Sequence, residues 1–534
     1  MTLTNHNYRP DIDGLRSLAV LMVVAFHFFP SFVGGGFIGV DIFFIISGYL
    51  ISNIIVTHLE AGNFSFTDFY FRRIRRIFPA LIIVLIFSLL VGWFFLYCDE
   101  YQELARQSIA GIASVANFEL LNEVGYFDNA AETKPLLHLW SLGIEEQFYI
   151  LYPFLLWFCW KKKYSISLVI IFIIAASFFS NVVLVNNHPS WAFYLPFSRF
   201  WEIAIGAILS QFSQLNILKN NVKKFLAFIG FGIIILSIIF INKDQKFPGY
   251  LAVFPCLGAV FIIAAGKDAW VNRHLLSNRL MVGIGLISYP LYLWHWPLLS
   301  FATIIKGRSP RLEVAIGAIF LSFLLAYLTY KFVEQPIRSK IKNKKQLLTI
   351  GILSCVILVF SSAIILFKGF DWRISENKNF LIRTTSRGDI SDQKCLDIYH
   401  DIGNKYCHIS GLNQNKKIFI IGDSQAQAIF NGYEQKLVEE NYQVIHLAIP
   451  GCPFFLDEKN SSGKLTKDEQ TVADCNVMFR KVIDAAIKQK PQAILFSNNG
   501  WNDKSKEFAN SMKETFNLIP NSIPIIYFTQ VPKM

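Results

Sequence analysis

The chain has 534 residues, of which 53% are hydrophobic and only 16% are charged, and its net charge is +12. This length allows more than one domain, and the composition indicates a membrane protein. In a soluble protein such a positive charge would suggest nucleic-acid binding, but here many of the basic residues lie in short loops between apolar segments. Their positions therefore indicate orientation in a membrane and argue against DNA binding.

The first two thirds of the chain is a series of apolar segments, most of them about 17 to 25 residues long, the length that crosses a bilayer as a helix. We expect about eleven membrane-spanning helices, of which the short fourth is the least certain. An odd number of spans places the two ends of the chain on opposite sides of the membrane. The predicted spans lie near residues 15–32, 36–57, 77–97, 145–160, 165–186, 198–214, 225–241, 250–266, 281–304, 313–335 and 347–367.

The distribution of Lys and Arg predicts the orientation of these spans. Basic residues concentrate in the loops that are cytoplasmic if the N-terminus is cytoplasmic, such as the loop with Lys161, Lys162 and Lys163. Membrane proteins keep Lys and Arg preferentially on the cytoplasmic side. We therefore predict a cytoplasmic N-terminus and a C-terminal region outside the cytoplasm.

Two ionisable residues belong to the first predicted span. Arg16 and His27 are eleven residues apart, which is three helical turns, so they project from one helical face about 16 Å apart along the axis. Ionisable side chains inside a bilayer cost about 2.5 kcal/mol or more each and usually face a polar interior. We expect a functional polar stripe. The structural alternative is that Arg16 extends to the cytoplasmic interface and His27 makes a structural hydrogen bond.

Beyond residue 367 the composition becomes polar, and predicted strands alternate with predicted helices. A buried strand begins at Lys417 and ends in a turn at Gly422-Asp423-Ser424, and a helix follows it. Such alternation is typical of a parallel sheet in a doubly wound α/β domain. The further strands are predicted near 442–449, 492–497 and 523–530, and the helices near 425–440, 467–489 and 504–517.

Four of the eight cysteines lie in this C-terminal region. An even number of cysteines in an oxidising compartment suggests disulfides. We expect the sequence neighbours to pair, Cys395 with Cys407 and Cys452 with Cys475.

The membrane region resembles the membrane-bound acyltransferase-3 family over residues 8 to 340. The resemblance rests on several motifs that occur in one order along the chain. They are Arg16 and His27 with their spacing, Gly34 to Leu50 with Asp41, Phe71 to Pro79 with its four arginines, Leu139 to Tyr149, Ser288 to Pro297 and Val333 to Pro336.

The resemblance implies an O-acyltransferase of the bacterial inner membrane in which Arg16 and His27 are essential. His27 would act as a base or as a nucleophile, because a neutral imidazole is competent for both near neutral pH. Glu145 and Glu146, at the start of the fourth span, are candidates for acceptor binding or for pairing with Arg16 or His27. Asp41 in the second span is a similar candidate partner. For the two glutamates the alternative is helix capping.

The four arginines Arg72, Arg73, Arg75 and Arg76 have two compatible interpretations. Arginines at a cytoplasmic boundary orient the helix. They are also suited to grip the phosphates of coenzyme A through charge-assisted hydrogen bonds. The resemblance implies acetyl-CoA as the acyl donor, and we expect no metal ion.

The turn at Gly422-Asp423-Ser424 resembles the first block of SGNH hydrolases, in which the serine is the nucleophile. This resemblance implies that Ser424 is catalytic, that Gly451 supplies an oxyanion-hole amide and that Asn499, or its neighbours Asn498 and Asn502, supplies a side-chain donor.

In that family a catalytic Asp-x-x-His follows the last strand, but this chain ends at Met534 just after the predicted fourth strand. We expect the SGNH-like, flavodoxin-like α/β domain to be incomplete or inactive. Asp397 and His400 have the right spacing but precede the serine, so we treat that match as chance.

We predict three parts: an acyltransferase-3 membrane domain at 1–346, the last transmembrane helix with a periplasmic linking region at 347–415, and an SGNH-like domain at 416–534. The function that the resemblance implies is transfer of acetyl from cytoplasmic acetyl-CoA to a hydroxyl of a cell-surface polysaccharide, such as lipopolysaccharide O-antigen, or of a lipid-linked glycan. The alternative is a proton-coupled transporter with an outer carbohydrate-binding domain, since intramembrane Arg and His also occur in transporters.

Overall fold

In the computed structural model, the apolar segments of the first part of the chain are helices, as expected where water is absent and each segment must satisfy its own backbone hydrogen bonds. The chain divides into two compact units, Met1–Phe370 and Asp371–Met534. The structure describes residues 8–123, 131–213, 220–306, 310–339, 344–373, 392–399, 406–411, 414–422, 424–448, 467–497 and 513–528.

The first unit is helical. Each segment that we predicted to span the membrane lies largely within one or two of its helices. These helices are α1 (Pro10–Phe28), α2 (Gly39–Glu60), α3 (Phe66–Phe95), α4 (Cys98–Ile112), α5 (Ala116–Glu123), α6 (Leu139–Lys162), α7 (Ile166–Asn187), α8 (Pro189–Tyr194), α9 (Phe200–Ser213), α10 (Asn220–Phe240), α11 (Val253–Ala265), α12 (Arg279–Leu286), α13 (Ser288–Lys306), α14 (Leu312–Thr329), α15 (Gln335–Ser339) and α16 (Lys344–Leu366).

By length and apolar composition, six helices of the described chain are able to cross a membrane, namely α2, α3, α7, α10, α14 and α16. The predicted count of eleven is therefore not confirmed. Helices α9 and α11 are apolar but have only 14 and 13 residues. The predicted ninth span is interrupted between α12 and α13, where Pro290 in the first turn of α13 has no N–H to continue the preceding helix.

Helix α3 begins earlier than predicted. Ser65 caps it by accepting a hydrogen bond from the backbone N–H of Asp68 at 3.3 Å, so the helix starts at Phe66 instead of near residue 77. The four arginines from Arg72 to Arg76 consequently lie inside a helix and not in a boundary loop. Their side chains are therefore distributed around the helix according to its period of 3.6 residues.

Helices α2 and α9 approach each other through glycine. A Cβ atom at Gly48 of α2 would lie 1.8 Å from the carbonyl oxygen of Ile203, and one at Gly206 of α9 would lie 2.0 Å from the carbonyl oxygen of Ile45. Only glycine permits backbones to pack this closely. This contact positions the start of α9, with Arg199 just before it, beside α2.

The second unit is an α/β domain with a five-stranded sheet in the order β1-β3-β2-β4-β5. Strands β2, β3, β4 and β5 are parallel, as predicted, while β1 pairs with β3 antiparallel at the edge. The elements are α17 (Gln393–Ile398), β1 (Tyr406–Ser410), β2 (Lys416–Gly422), α18 (Ser424–Glu439), β3 (Tyr442–Ala448), α19 (Lys467–Lys488), β4 (Ala493–Ser497) and β5 (Ile525–Phe528).

Strand β1 and helix α17 belong to this domain, although we assigned residues 347–415 to the last transmembrane helix and a linking region. Asp392 caps α17 by accepting from the backbone N–H of Cys395 at 2.6 Å, and it also accepts from the N–H of Ile409 in β1 at 2.8 Å. A disulfide joins Cys395 to Cys407, as we predicted. The other predicted pair, Cys452 with Cys475, is not covered by the described side chains.

Candidate functional site

Two cavities lie among the helices of the first unit. The first, which we call the arginine cavity, is lined by residues of α1, α2, α3, α6 and α13. Its polar lining comprises Arg16, Arg73, Arg76, Ser47, Ser141, Glu145, Glu146, Tyr149, Ser288, Tyr289 and Tyr292.

Arginine and glutamate side chains meet in the arginine cavity, but they form few direct ion pairs. Arg16 is paired with Asp13 of its own helix, with 3.5 Å between Nη1 and Oδ1. Glu145 accepts hydrogen bonds from the hydroxyls of Ser47 and Tyr149. Arg73 lies over the ring of Tyr149, with 5.3 Å from Cζ to the centroid. The lining thus carries three guanidinium groups and two carboxyl groups, and Asp13 offsets the charge of one of the three, Arg16.

Three buried polar atoms of this lining have no hydrogen-bond partner within the described part of the chain. They are Nε of Arg73, Oε1 of Glu146 and Oγ of Ser288. A buried donor or acceptor without a partner is costly unless a ligand or water satisfies it. The arginine cavity therefore has the chemistry of a binding site.

The predicted arginine cluster is divided by the helix. Arg73 and Arg76 are three residues apart and line the cavity from one face of α3. Arg72 is exposed on another face. Arg75 is buried, and its Nε donates to the carbonyl oxygen of Phe71 at 3.3 Å. The structure therefore brings two of the four arginines together with Arg16.

The second cavity, which we call the histidine cavity, is lined by residues of α1, α2, α6, α8 and α13 and of the segments between them. It combines two imidazoles with aromatic rings and a few charged groups. Its lining includes His27, His138, Trp140, Arg199, Tyr292 and Trp296, together with Glu132 and Lys243.

His27 and His138 line this cavity, and His295 packs against both of them. Nδ1 of His27 lies 2.9 Å from Nε2 of His295, and the two rings are nearly parallel with their centroids 5.1 Å apart. The ring of His138 lies edge-on to His295 at 5.9 Å. His138 is almost completely buried, and neither of its ring nitrogens has a hydrogen-bond partner among the residues that the structure describes.

Tyr292 lies between the two cavities. It lines both of them, as does Val40. Its hydroxyl donates to the carbonyl oxygen of His138 at 2.9 Å and lies 2.6 Å from Oγ of Ser141. Arg16 and His27 are thus on one helix, as predicted, but they face different cavities, which adjoin at Tyr292.

Asp41 is not placed as we predicted. Its carboxylate pairs with Arg199, with 3.0 Å between Oδ1 and Nη2, and Glu202 pairs with the same guanidinium at 2.6 Å. Asp41, Arg199 and Glu202 are almost completely buried. Asp41 therefore supports Arg199, which lines the histidine cavity, and is not the partner of Arg16 or His27. Glu145 and Glu146 share a cavity with Arg16 but not with His27.

Sequence reasoning missed His138 and Arg199. For Tyr292, Trp294, His295 and Trp296 the sequence predicts a packed aromatic belt, with His295 as a weaker site candidate. His138 directly precedes the Leu139 to Tyr149 motif, so its position beside a motif was an available signal. No comparable signal existed for Arg199. Its partner Asp41 is distant in the sequence, and only helix packing brings the two together.

In the second unit, Ser424 is the first residue of α18 and follows the end of β2, as predicted. Gly422 is required there, because a Cβ atom would lie 1.8 Å from the carbonyl oxygen of Ser497 in the neighbouring strand. The predicted residues Gly451 and Asn499 lie outside the described residues, and so does the side chain of Ser424. Asp397 accepts a hydrogen bond from Gln393 at 2.9 Å, while His400 is outside the described residues.

Comparison with known proteins identifies both units. Residues 9–331, more than half of the chain, match the model of the family described as an acyltransferase domain, Acyl_transf_3. Residues 392–534 match the model described as an SGNH domain fused to AT3 domains. No solved structure matches the chain significantly.

Curated relatives include peptidoglycan O-acetyltransferase OatA of Listeria monocytogenes, which is 34% identical over 354 residues, covering 63% of this chain and 57% of the relative. The putative peptidoglycan O-acetyltransferase YrhL of Bacillus subtilis is 32% identical over 397 residues, 68% of this chain and 62% of the relative. A putative O-acetyltransferase of Staphylococcus aureus is 32% identical over 353 residues, 62% of this chain and 58% of the relative. The matched part thus spans less than two thirds of these relatives.

Proposed function

Because the chain belongs to the acyltransferase-3 family, we propose that it is an integral membrane O-acetyltransferase that modifies hydroxyl groups of a cell-surface polysaccharide. Three relatives carry names that describe O-acetyltransferases, and two of the names specify peptidoglycan. These names favour an enzyme over the transporter that we considered as the alternative. The observation that carries the proposal is the pair of adjoining cavities, one rich in arginine and one rich in histidine.

The arginine cavity is the proposed site for acetyl-CoA. Arg16, Arg73 and Arg76 would hold its phosphates, because guanidinium groups form charge-assisted hydrogen bonds with phosphate oxygens. The cavity lies near the cytoplasmic end of α1 in the predicted orientation, where coenzyme A is available. The adjoining histidine cavity would then receive the acetyl group beyond Tyr292.

In the histidine cavity, His27 is the proposed base or nucleophile. As a base, its ring nitrogen takes the proton of an acceptor hydroxyl while the hydroxyl oxygen attacks the thioester carbonyl carbon and the coenzyme A thiolate leaves. As a nucleophile, it takes the acetyl group from the thioester and passes it to the hydroxyl in a second step. Both routes need a neutral imidazole that is accessible from a cavity, and His27 is only partly buried there.

The second unit is proposed to lie outside the cytoplasm, in the periplasm if the host has an outer membrane, and to receive the acetyl group there. The disulfide between Cys395 and Cys407 supports this location, since disulfides persist in oxidising compartments. The start of α18 at Ser424 supports a role for this residue, because backbone donors cluster at a helix N-terminus. The acceptor is a sugar hydroxyl of peptidoglycan, of lipopolysaccharide O-antigen or of a lipid-linked glycan.

The test compares the full chain with His27→Ala in a host that lacks its own O-acetyltransferases. Peptidoglycan, O-antigen and lipid-linked glycan are purified separately, and their acetyl esters are measured by mass spectrometry. We expect the unaltered chain to acetylate one of them and His27→Ala to lower the yield by about 100-fold or more, which is the usual range for a lost acid–base group.

His188→Ala is the matched control, because His188 is exposed and does not line either cavity. Its activity should equal that of the unaltered chain. Normal acetylation by His27→Ala would show that the histidine cavity is not the reaction site. Absence of acetyl esters from all three glycans with the unaltered chain would contradict the proposed acceptor class.

A further inference from the structure

We propose that His295 is a positioning residue that holds His27 in one tautomer, with its proton on Nδ1, so that Nε2 is the reactive nitrogen of His27. This inference rests on the proposed role of His27. It assigns a specific role to His295, which the sequence indicates only as a weaker site candidate within an aromatic segment.

The first step concerns the proton on His295. Its Nδ1 lies 2.6 Å from the carbonyl oxygen of Tyr292, one turn earlier in α13. A carbonyl oxygen only accepts hydrogen bonds, so Nδ1 of His295 must carry a hydrogen. His295 is completely buried, and none of the contacts described for its ring is with a carboxylate. A second proton would create an unpaired buried cation, and the ring is therefore neutral with a lone pair on Nε2.

The second step concerns the proton on His27. Its Nδ1 lies 2.9 Å from Nε2 of His295. Because Nε2 of His295 carries a lone pair, Nδ1 of His27 must donate, since two facing lone pairs at this distance would repel each other. A neutral His27 then has its own lone pair on Nε2. In histidine the partner of one ring nitrogen determines the state of the other.

The third step concerns the rigidity of this arrangement. The backbone carbonyl of Tyr292 holds His295, while the Tyr292 hydroxyl donates to the carbonyl oxygen of His138. The ring of Trp296 packs against His27 edge-on with 4.5 Å between centroids. The hydrogen-bonded series from Tyr292 through His295 to His27 thus begins in a buried helix and ends at a partly exposed imidazole in the cavity.

The kinetic test uses the full chain in membranes, with His295→Leu and His295→Gln as a matched pair. Leucine resembles histidine in volume but accepts no hydrogen bond, whereas the glutamine side-chain oxygen reaches the position of Nε2 and accepts one. We expect His295→Leu to lower kcat by roughly 100-fold, with the KM for the acyl donor unchanged. We expect His295→Gln to stay within roughly tenfold of the unaltered chain.

Both variants are checked for their amount in the membrane and for their thermal unfolding. If His295 had a merely structural role, the kcat of both variants would fall together. Their unfolding temperatures would then change in parallel with their activity. Full kcat in His295→Leu, or an equal loss in both variants when both are folded, would overturn the inference.

A second measurement needs no activity. In protein labelled with ¹⁵N in its histidine rings, magnetic resonance distinguishes a protonated ring nitrogen from an unprotonated one, and the spectrum of His27→Ala identifies the signals of His27. We expect a protonated Nδ1 and an unprotonated Nε2 for His27, both in the unaltered chain and in His295→Gln. A protonated Nε2 in the unaltered chain would overturn the inference even if His295→Leu failed to fold.

The outcomes separate this inference from the proposed function. If His27→Ala remains active, the proposed reaction site is wrong, while the spectrum still tests the tautomer. If His27→Ala is inactive and His295→Leu is fully active, the proposed function stands and only the role of His295 is excluded.

Discussion

Arg72 and Arg73 are adjacent in the sequence but differ in what they face. Arg73 lines the arginine cavity with Arg76 and Arg16, whereas Arg72 is exposed on another side of α3. Successive residues of a helix point about 100° apart, so neighbours in a run of arginines do not share a surface. The proposed donor-binding role therefore concerns Arg73 and Arg76 and not the cluster as a whole.

We expect Arg73→Gln and Arg76→Gln each to raise the KM for acetyl-CoA by roughly tenfold or more, because each removes a charged donor to phosphate, which is worth about 1.5–3 kcal/mol. Arg72→Gln is the matched control and should leave the KM unchanged. The measurement is acetyl transfer as a function of acetyl-CoA concentration in membrane vesicles. An equal effect of all three changes would instead indicate that the arginines act together in orienting the helix.

At the scale of the elements, the packing of α2 against α9 determines where Arg199 lies. Gly48 and Gly206 let the two backbones approach, and Asp41 of α2 then pairs with Arg199, just before α9. Arg199 is surrounded by aromatic rings as well, including Trp140 with 5.7 Å from Cζ to the ring centroid. The wall of the histidine cavity therefore depends on a helix–helix contact that is made by residues outside the cavity.

We expect Gly48→Ala to lower the free energy of unfolding by about 1–3 kcal/mol, because its Cβ would overlap the backbone of α9. Gly317→Ala in α14 is the matched control: a Cβ atom there has no neighbour within 4 Å. Since alanine is favoured over glycine within a helix, the control should be neutral or more stable by up to about 1 kcal/mol. Thermal unfolding in detergent measures both. Equal stability of Gly48→Ala and the unaltered chain would mean that the two helices move apart without cost.

The whole molecule combines a helical membrane unit with an α/β unit that contains a disulfide. If basic loops are cytoplasmic and the disulfide-bonded unit is not, the two must be reached by reagents from opposite sides. Both units offer an exposed lysine for such a comparison, Lys162 at the end of α6 and Lys416 at the start of β2.

We expect a membrane-impermeant thiol reagent added to intact cells to label Lys416→Cys and not Lys162→Cys. After the membrane is permeabilised, both should react. The unaltered chain is the control for its own free cysteines, of which Cys355 is exposed. Labelling of Lys162→Cys alone in intact cells would reverse the predicted orientation and exclude a cytoplasmic donor site in the arginine cavity.

Much of the fold follows from local sequence patterns. Each apolar segment is helical, and the strands β2 to β5 lie within two residues of their predicted positions, because apolar length and alternation act within one segment. The number of spans could not be predicted correctly from the sequence. Helices α9 and α11 are short, and the predicted ninth span is divided between α12 and α13. Strand β1 was missed because its place at the sheet edge depends on pairing with β3, which is distant in the sequence.

The candidate site, like the fold, could be predicted only in part from the sequence. The motifs around Arg16, His27 and Glu145 were visible in the sequence, because they depend on residue type and on spacing along one helix. The pairing of His27 with His295 and of Asp41 with Arg199, and the separation of Arg16 from His27 into two cavities at Tyr292, were decided only by the tertiary structure. The physical reason is that a partner's identity depends on which helical faces meet, and single-helix periodicity contains no information about that contact.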